Sequence, residues 1–370
     1  MPAPKPNLGK RMRRFVAFLL IGAAMGEAFA QDLDRFEKPP YNPVLRADSS
    51  AVFKDPRSGK PVRWMKADVF NPAAVVKDGK VWLLFRAEDE PGAMLGGRTS
   101  RIGIAESDDG IRFKVHPDPV LYPMADSFAV YDDPGGCEDP RVAVTADGLY
   151  VMLYTSWNRK VPRLSVAHSR DLLHWEKKGP AFRAAHGGRF LDSASKSGSV
   201  ITRFLDGRTV LERINGRYWM YWGEHIVNLA WSENLSDWHP LLDEKGGLLA
   251  VARPRPYLFD SHLTECGPPA VTTDKGIILV YNGRNATDGT GHPGIAPGTY
   301  TVGRMVFDPA DPARLIARSE EPFLAPTLPH ELTGQYKAGT TFAEGLVPFK
   351  GRWYLYYGTA DSFVGVAVSQ

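Results

Sequence analysis

The chain has 370 residues, with 45 Lys and Arg against 42 Asp and Glu and a formal net charge of +3. Five of the basic residues and one acid fall in the first thirty positions, so the rest of the chain carries −1. A near-neutral chain without Lys/Arg clusters is a poor partner for nucleic acid or an anionic membrane, and two cysteines alone, Cys137 and Cys266, exclude a disulfide scaffold.

Residues 1–30 read as an export signal. Basic residues Lys10, Arg11, Arg13 and Arg14 lead into the apolar run FVAFLLIGAA, and AFA precedes Gln31. That pattern suits signal peptidase, while the run is far shorter than the roughly 20 residues a spanning helix needs. Cleavage is expected after Ala30, giving a periplasmic or secreted protein with no membrane segment left. No Pro/Ser-rich or charged linker divides residues 31–370, which predicts one domain. Cys137 and Cys266 are expected as two buried thiols, with a bridge between neighbouring strands as the alternative.

Along that domain a Gly-bearing turn recurs between a short apolar stretch and an aromatic-rich one. The marker glycines are Gly79, Gly148, Gly216, Gly276 and Gly351, spaced by 69, 68, 60 and 75 residues. Period-2 apolar residues flank each turn, which predicts β-hairpins. A second pattern follows most of them: RIGIAESDDGIRF, RLSVAHSRDLLHW, VNLAWSENLSDW and, more loosely, YTVGRMVFDPADP. Five such four-stranded units, none able to bury its faces alone, predict an all-β fold, a five-bladed β-propeller with its active site at a central channel. VGVAVSQ at the C-terminus is expected to close the ring with the N-terminal segment. A β-sandwich leaves the five-fold recurrence unexplained, and a parallel α/β fold needs helical patterns that are missing.

In a propeller the starts of first strands and the ends of second strands meet near one channel mouth. This gathers Asn71, Arg86, Glu88 and Asp89; Glu138, Asp139 and Arg141; Lys196 and Glu224; His262 and Glu265; and Asp361. For EDPR alone, Arg141 neutralising an acid at an exposed strand start is the simpler account. So many charges at equivalent edges of apolar strands favour a chemical site. His168, His174, His225 and His262 lack zinc-site spacing, so no metal and no cofactor are expected.

VFNPAAV, LLFRAED, RIGIAESDDGIRF, EDPRV, YWMYWGE and YYGTAD, in this order from about Asn42 to the C-terminus, resemble glycoside hydrolase family 130, five-bladed propellers acting on β-mannosides. The resemblance implies an oligosaccharide partner, Asp139 of the DPR motif as the acid, proton delivery through a sugar hydroxyl, and contact of Asp361 with bound mannose. Asn71, Arg86, Asp89, Arg101, Glu138, Arg141, Lys196 and His262 fill out the expected binding surface. The family holds phosphorylases and hydrolases. Arg101 and Lys196 match basic positions of a phosphate pocket. Glu224 and Glu265 fit the two glutamates of the branch that hydrolyses β-1,2-mannosides, and either one suits a base that activates water. The expectation is an exo-acting, inverting β-mannosidase, most like a β-1,2-mannosidase on short manno-oligosaccharides. A β-mannoside phosphorylase releasing mannose 1-phosphate is the first alternative and a non-catalytic sugar-binding propeller the second. Trp82, Trp175 and Trp238 sit at repeated strand positions and are read as packing, not as sugar platforms.

Overall fold

The computed structural model describes Leu33, residues 35–94 and residues 96–370. The expected export signal lies outside the described residues. Strands dominate, and among the described residues helical structure is confined to short turns such as Ala129–Asp132 and Ala185–Gly188.

Strand pairing groups the chain into consecutive antiparallel runs. The first holds Asp68–Lys77, Lys80–Glu88 and Ser100–Ser107; the second Gly136–Val144, Tyr150–Trp157, Pro162–Ser169 and Glu176–Pro180. The third holds Ser199–Leu205, Arg217–Trp222 and Val227–Ser232; the fourth Ala270–Thr273, Gly276–Arg284, Tyr300–Phe307 and Leu315–Arg318. Phe342–Phe349, Arg352–Thr359 and Phe363–Ser369 make the fifth, and Phe36–Glu37 and Leu45–Arg46 pair onto its last strand. The N-terminal segment therefore completes the sheet begun by the C-terminus.

The turns follow from the sequence. Asp78–Gly79, Asn215–Gly216 and Lys350–Gly351 join paired strands with φ positive at both residues (52° and 72°, 53° and 79°, 48° and 80°). Two positive values match the right-handed twist of the flanking strands, and glycine at the second place avoids the Cβ penalty. The second sequence pattern has its own cause. Ser107, Ser169 and Ser232 accept backbone N–H groups through Oγ, and Asp109, Asp171 and Asn234 accept those two and three residues further on. Gly110, Leu172 and Leu235 share positive φ at the same place in each turn. Local side-chain acceptors of this kind stabilise a turn in preference to continued strand.

Alternation along the first strands distributes burial. Ala73 and Val75 pack with Val142, Val144 and Met152, while Ala74 packs with Val347 and Tyr356. Ala143 instead joins Val200 and Met220. Ile201 joins Ala270 and Leu279, and Ile278 and Val280 join Leu346 and Leu355. Successive residues point to opposite sheet faces, so each strand feeds two cores and each core unites two consecutive runs. The last core, between the fifth run and the first, returns to the start of the order. Full burial of each Val, Leu or Phe here contributes about 1.5–3 kcal/mol. Trp238 is buried and Trp82 and Trp175 are half-buried against these cores. Cys137 and Cys266 are both buried and free.

Candidate active site

The site grows out of irregularities at the starts of the first strands. Register breaks between Phe70 and Pro72, opposite Asp139, and between Ala343 and Gly345 leave Asn71, Asp139 and Glu344 as extra residues. Bulges re-aim the side chain they carry. Asn71 and Asp139 have φ of 50° and 49°, and Ser197 and Asp361 have 59° and 50°. Non-glycine residues rarely adopt this left-handed backbone, Asn and Asp most readily; its concentration here is the form strain takes at functional sites.

Arg86 is the hub of the first cluster. Its guanidinium donates to Glu88 (2.7 Å), Glu138 (2.9 Å) and Asp139 (3.2 Å), and Asn71 Nδ2 donates to Asp139 Oδ1 at 2.9 Å. All five residues are buried. Asn71 Oδ1 has no hydrogen-bond partner and faces Gly358, where a Cβ would stand 2.0 Å away.

Burial raises Glu138 to about 7, against the pull of Arg86 and Lys196. Burial also pushes Asp139 upward, but Arg86, Lys196 and Arg141 together outweigh it and its carboxyl is held low. Burial is the first cause of the rise at Glu138, and the neighbouring Asp139 charge adds to it. The two form one coupled acid that binds a proton below about pH 7.

A second cluster surrounds Lys196, a half-buried residue whose ammonium is favoured in its charged form. Burial opposes that charge, and Glu138, Glu224, Asp139 and Glu265 overcome it. Glu265 accepts from Ser197 Oγ at 2.5 Å; burial first, then Glu224, drives it to about 8. Glu224 is half-buried beside it. Burial raises Asp361 to about 6, opposed by Arg86 and assisted by Asp139. His262 is exposed, with its ring 6.0 Å from that of His225.

Three expected binding residues sit differently. Arg101 is buried and its guanidinium donates to Asp89 (2.6 Å) and Asp55 (2.8 Å), so this cation and Asp89 engage each other and not the Lys196 cluster. Arg141 is also buried and directs its donors to backbone, namely Asp139 O (3.0 Å), Cys266 O (3.1 Å) and Gly267 O (3.4 Å). The sequence reading places both on the substrate-binding surface, and here their donors go to protein acids and carbonyls. Arg101, on the third strand of the first run, meets acids that precede the second run, whereas Arg141 reaches from the second run to the backbone at the end of Leu263–Cys266, which pairs with Gly276–Arg284 of the fourth.

Sequence reading missed Glu344, which occupies in the fifth run the bulge place held by Asn71 and Asp139. Alignment of the repeats at AEGL, FNPA and EDPR was the available signal. It also missed Arg284, Tyr300 and Tyr336, a corner where the Arg284 guanidinium carbon lies 5.6 and 5.5 Å from the two ring centroids and the rings are 5.4 Å apart. The charges of Glu265 and Asp361 both reach Tyr300. Among the described residues no group of three His, Cys, Asp or Glu is placed to hold a metal ion.

The model of a family described as β-1,4-mannooligosaccharide phosphorylase, Glyco_hydro_130, matches residues 35–370. A 1,2-β-oligomannan phosphorylase from Thermoanaerobacter sp. (strain X514) is 32% identical over 309 residues, 82% of this chain and 90% of that protein. A solved structure from Bacteroides thetaiotaomicron VPI-5482 is 54% identical with a TM-score of 0.89, covering 90% of this chain and 96% of that one. Another, 49% identical with a TM-score of 0.88 over 90% and 93%, is described among GH130 glycoside hydrolases that target β-1,2 mannosidic linkages in Candida mannan. Members of the family are glycoside-active enzymes, phosphorylases or hydrolases. A match over nearly all described residues, with two β-1,2-mannoside-acting relatives, establishes that this chain belongs to glycoside hydrolase family 130.

Proposed function

We propose that the chain is an exo-acting, inverting β-mannoside hydrolase that releases mannose from short β-1,2-linked manno-oligosaccharides. It is built as one five-bladed propeller over residues 31–370 and exported by the segment 1–30. Support for five blades is the order of the cores, each shared by two consecutive runs, with the fifth returning to the first.

The observation that carries hydrolysis is the disposition of the cations. Arg101 is neutralised by Asp55 and Asp89, and Lys196 stands among Glu138, Asp139, Glu224 and Glu265. Inorganic phosphate needs open cationic donors, and carboxylates this near repel a dianion while accepting a proton from water. In this reading the Glu138–Asp139 acid supplies a proton to the glycosidic oxygen, with Asp139 the delivering member through a sugar hydroxyl. Water attacks the anomeric carbon from the opposite face and gives its proton to the Glu224–Glu265 pair. Glu265 holds a proton up to about pH 8, so below that pH the accepting role falls to Glu224. The exo preference rests on a channel mouth that admits a chain end as a pocket does.

Phosphorolysis is the second reading, favoured by the name of the 32% identical relative. Greater identity, 49%, to the structure described among hydrolases supports the first. ¹H NMR of the sugar first released from a β-mannoside tests the assignment. α-Mannose is expected; β-mannose overturns inversion, and no free mannose overturns hydrolysis.

A further inference from the structure

Arg141 belongs to the second run, yet the backbone it holds spans both halves of the proposed chemistry. Its Nη1 donates to the carbonyl of Asp139 at 3.0 Å. Its Nη2 donates to the carbonyl of Cys266 at 3.1 Å, the residue after Glu265, and Nε reaches the carbonyl of Gly267 at 3.4 Å. The side chain is buried and closed over by the fifth run: Phe342 lies under the guanidinium at 5.9 Å, and Glu344 Oε1 approaches Nη2 at 2.9 Å. That approach is off the hydrogen-bond direction, and both Glu344 oxygens lack a donor. Glu344 is itself fully buried at its bulge. A planar guanidinium presents five N–H donors in fixed directions, so carbonyls bound to it stand at fixed positions relative to one another.

We infer that Arg141, braced by Glu344, is a positioning residue that sets the span between the Asp139 acid and the Glu265 side of the water-activating pair. An inverting reaction needs that span to admit a water between the carboxyl groups, about 6.5–9.5 Å, and it crosses two separate runs of the chain. Neither backbone segment hydrogen-bonds the other directly in this region; Arg141 supplies the tie. The side chain is 1% exposed and gives three of its five N–H groups to backbone carbonyls, which separates this role from the substrate contact expected of it.

The inference rests on the acid and base roles assigned above, and the experiment keeps the two apart. Arg141→Lys retains the charge, but one ammonium does not reproduce a fork held on three carbonyls. In the full chain acting on β-1,2-mannobiose it is expected to lower kcat per folded molecule by about 100-fold, the scale of an ångström-sized misplacement, with KM within about threefold. Glu344→Ala, which removes the brace, is expected to lower kcat by about tenfold, and Glu344→Gln to recover most of that loss because the amide keeps shape and an acceptor. Should Arg141→Lys not fold, the Glu344 pair carries the same test. A rise in KM at unchanged kcat makes Arg141 a substrate contact, and unchanged kcat per folded molecule makes it a fold element; either result overturns the inference. The wild-type product, free mannose or mannose 1-phosphate, tests the function separately, because the variant-to-wild-type ratio is read on whichever product forms.

Discussion

Asn71 and Asp139 lie on first strands of different runs, share a left-handed backbone, and meet through a 2.9 Å hydrogen bond from Asn71 Nδ2 to Asp139 Oδ1. With Arg86 on the same oxygen, this bond fixes the carboxyl that the proposed reaction uses.

The neighbour that permits the bond is Gly358. A methyl there would fall 2.0 Å from Asn71 Oδ1 and 3.1 Å from its backbone nitrogen. Gly358→Ala is therefore expected to swing Asn71 off Asp139 and lower kcat by about 10- to 100-fold without touching substrate. Asn71→Ala should match it, with added instability from alanine at positive φ, about 1 kcal/mol. Steady-state kinetics and thermal denaturation of both variants check this. A Gly358→Ala enzyme with wild-type kcat contradicts it.

The buried acids give stability a particular pH dependence. Glu138, Glu265 and Asp361 are raised to about 7, 8 and 6, so between about pH 4.5 and 8 the folded chain binds more protons than the unfolded one. Stability then falls as pH rises through that window. Asp139, held low, works the other way and loses its contribution only below the ordinary Asp range. Melting temperature is expected to decline from pH 5 to pH 8, and Glu265→Gln to flatten the upper part of the decline. A melting temperature that climbs to pH 8 contradicts the reading. For activity, loss of the proton on the Glu138–Asp139 acid predicts that kcat/KM falls as pH rises through about 7.

The two glutamates around Lys196 are expected to behave unequally. At pH 6 Glu265 carries its proton, so Gln at that place imitates the working state. Glu224→Gln removes the group left to take the proton from water and should lower kcat by about 10²–10⁴-fold. Glu265→Gln at the same pH should retain far more activity. Single-variant kinetics at pH 6 decide it, and a reversed order assigns the base to Glu265.

Much of this architecture was legible in the chain because period-2 alternation and paired turn residues act locally. Asp78–Gly79 and the Ser107–Asp109 turn specify their geometry within four or five residues. The carboxylates of the site were legible for a different reason, since charges at apolar strand edges are costly without a purpose. Partners were not legible. Asp55 lies 46 positions from Arg101, and the carbonyls bound by Arg141 lie 125 and 126 positions along the chain. Nothing local marks such pairings. Arg284, Tyr300 and Tyr336 escaped because stacking of a guanidinium on two rings leaves no spacing rule in sequence.

In the proposed reaction water, and not phosphate, takes the mannosyl group. The most direct test incubates the purified chain, without residues 1–30, with β-1,2-mannobiose in the presence and absence of inorganic phosphate, and measures mannose and mannose 1-phosphate over time. Free mannose alone, at a rate indifferent to phosphate, is the result the Arg101 and Lys196 environments predict. Mannose 1-phosphate accumulating in proportion to added phosphate contradicts it.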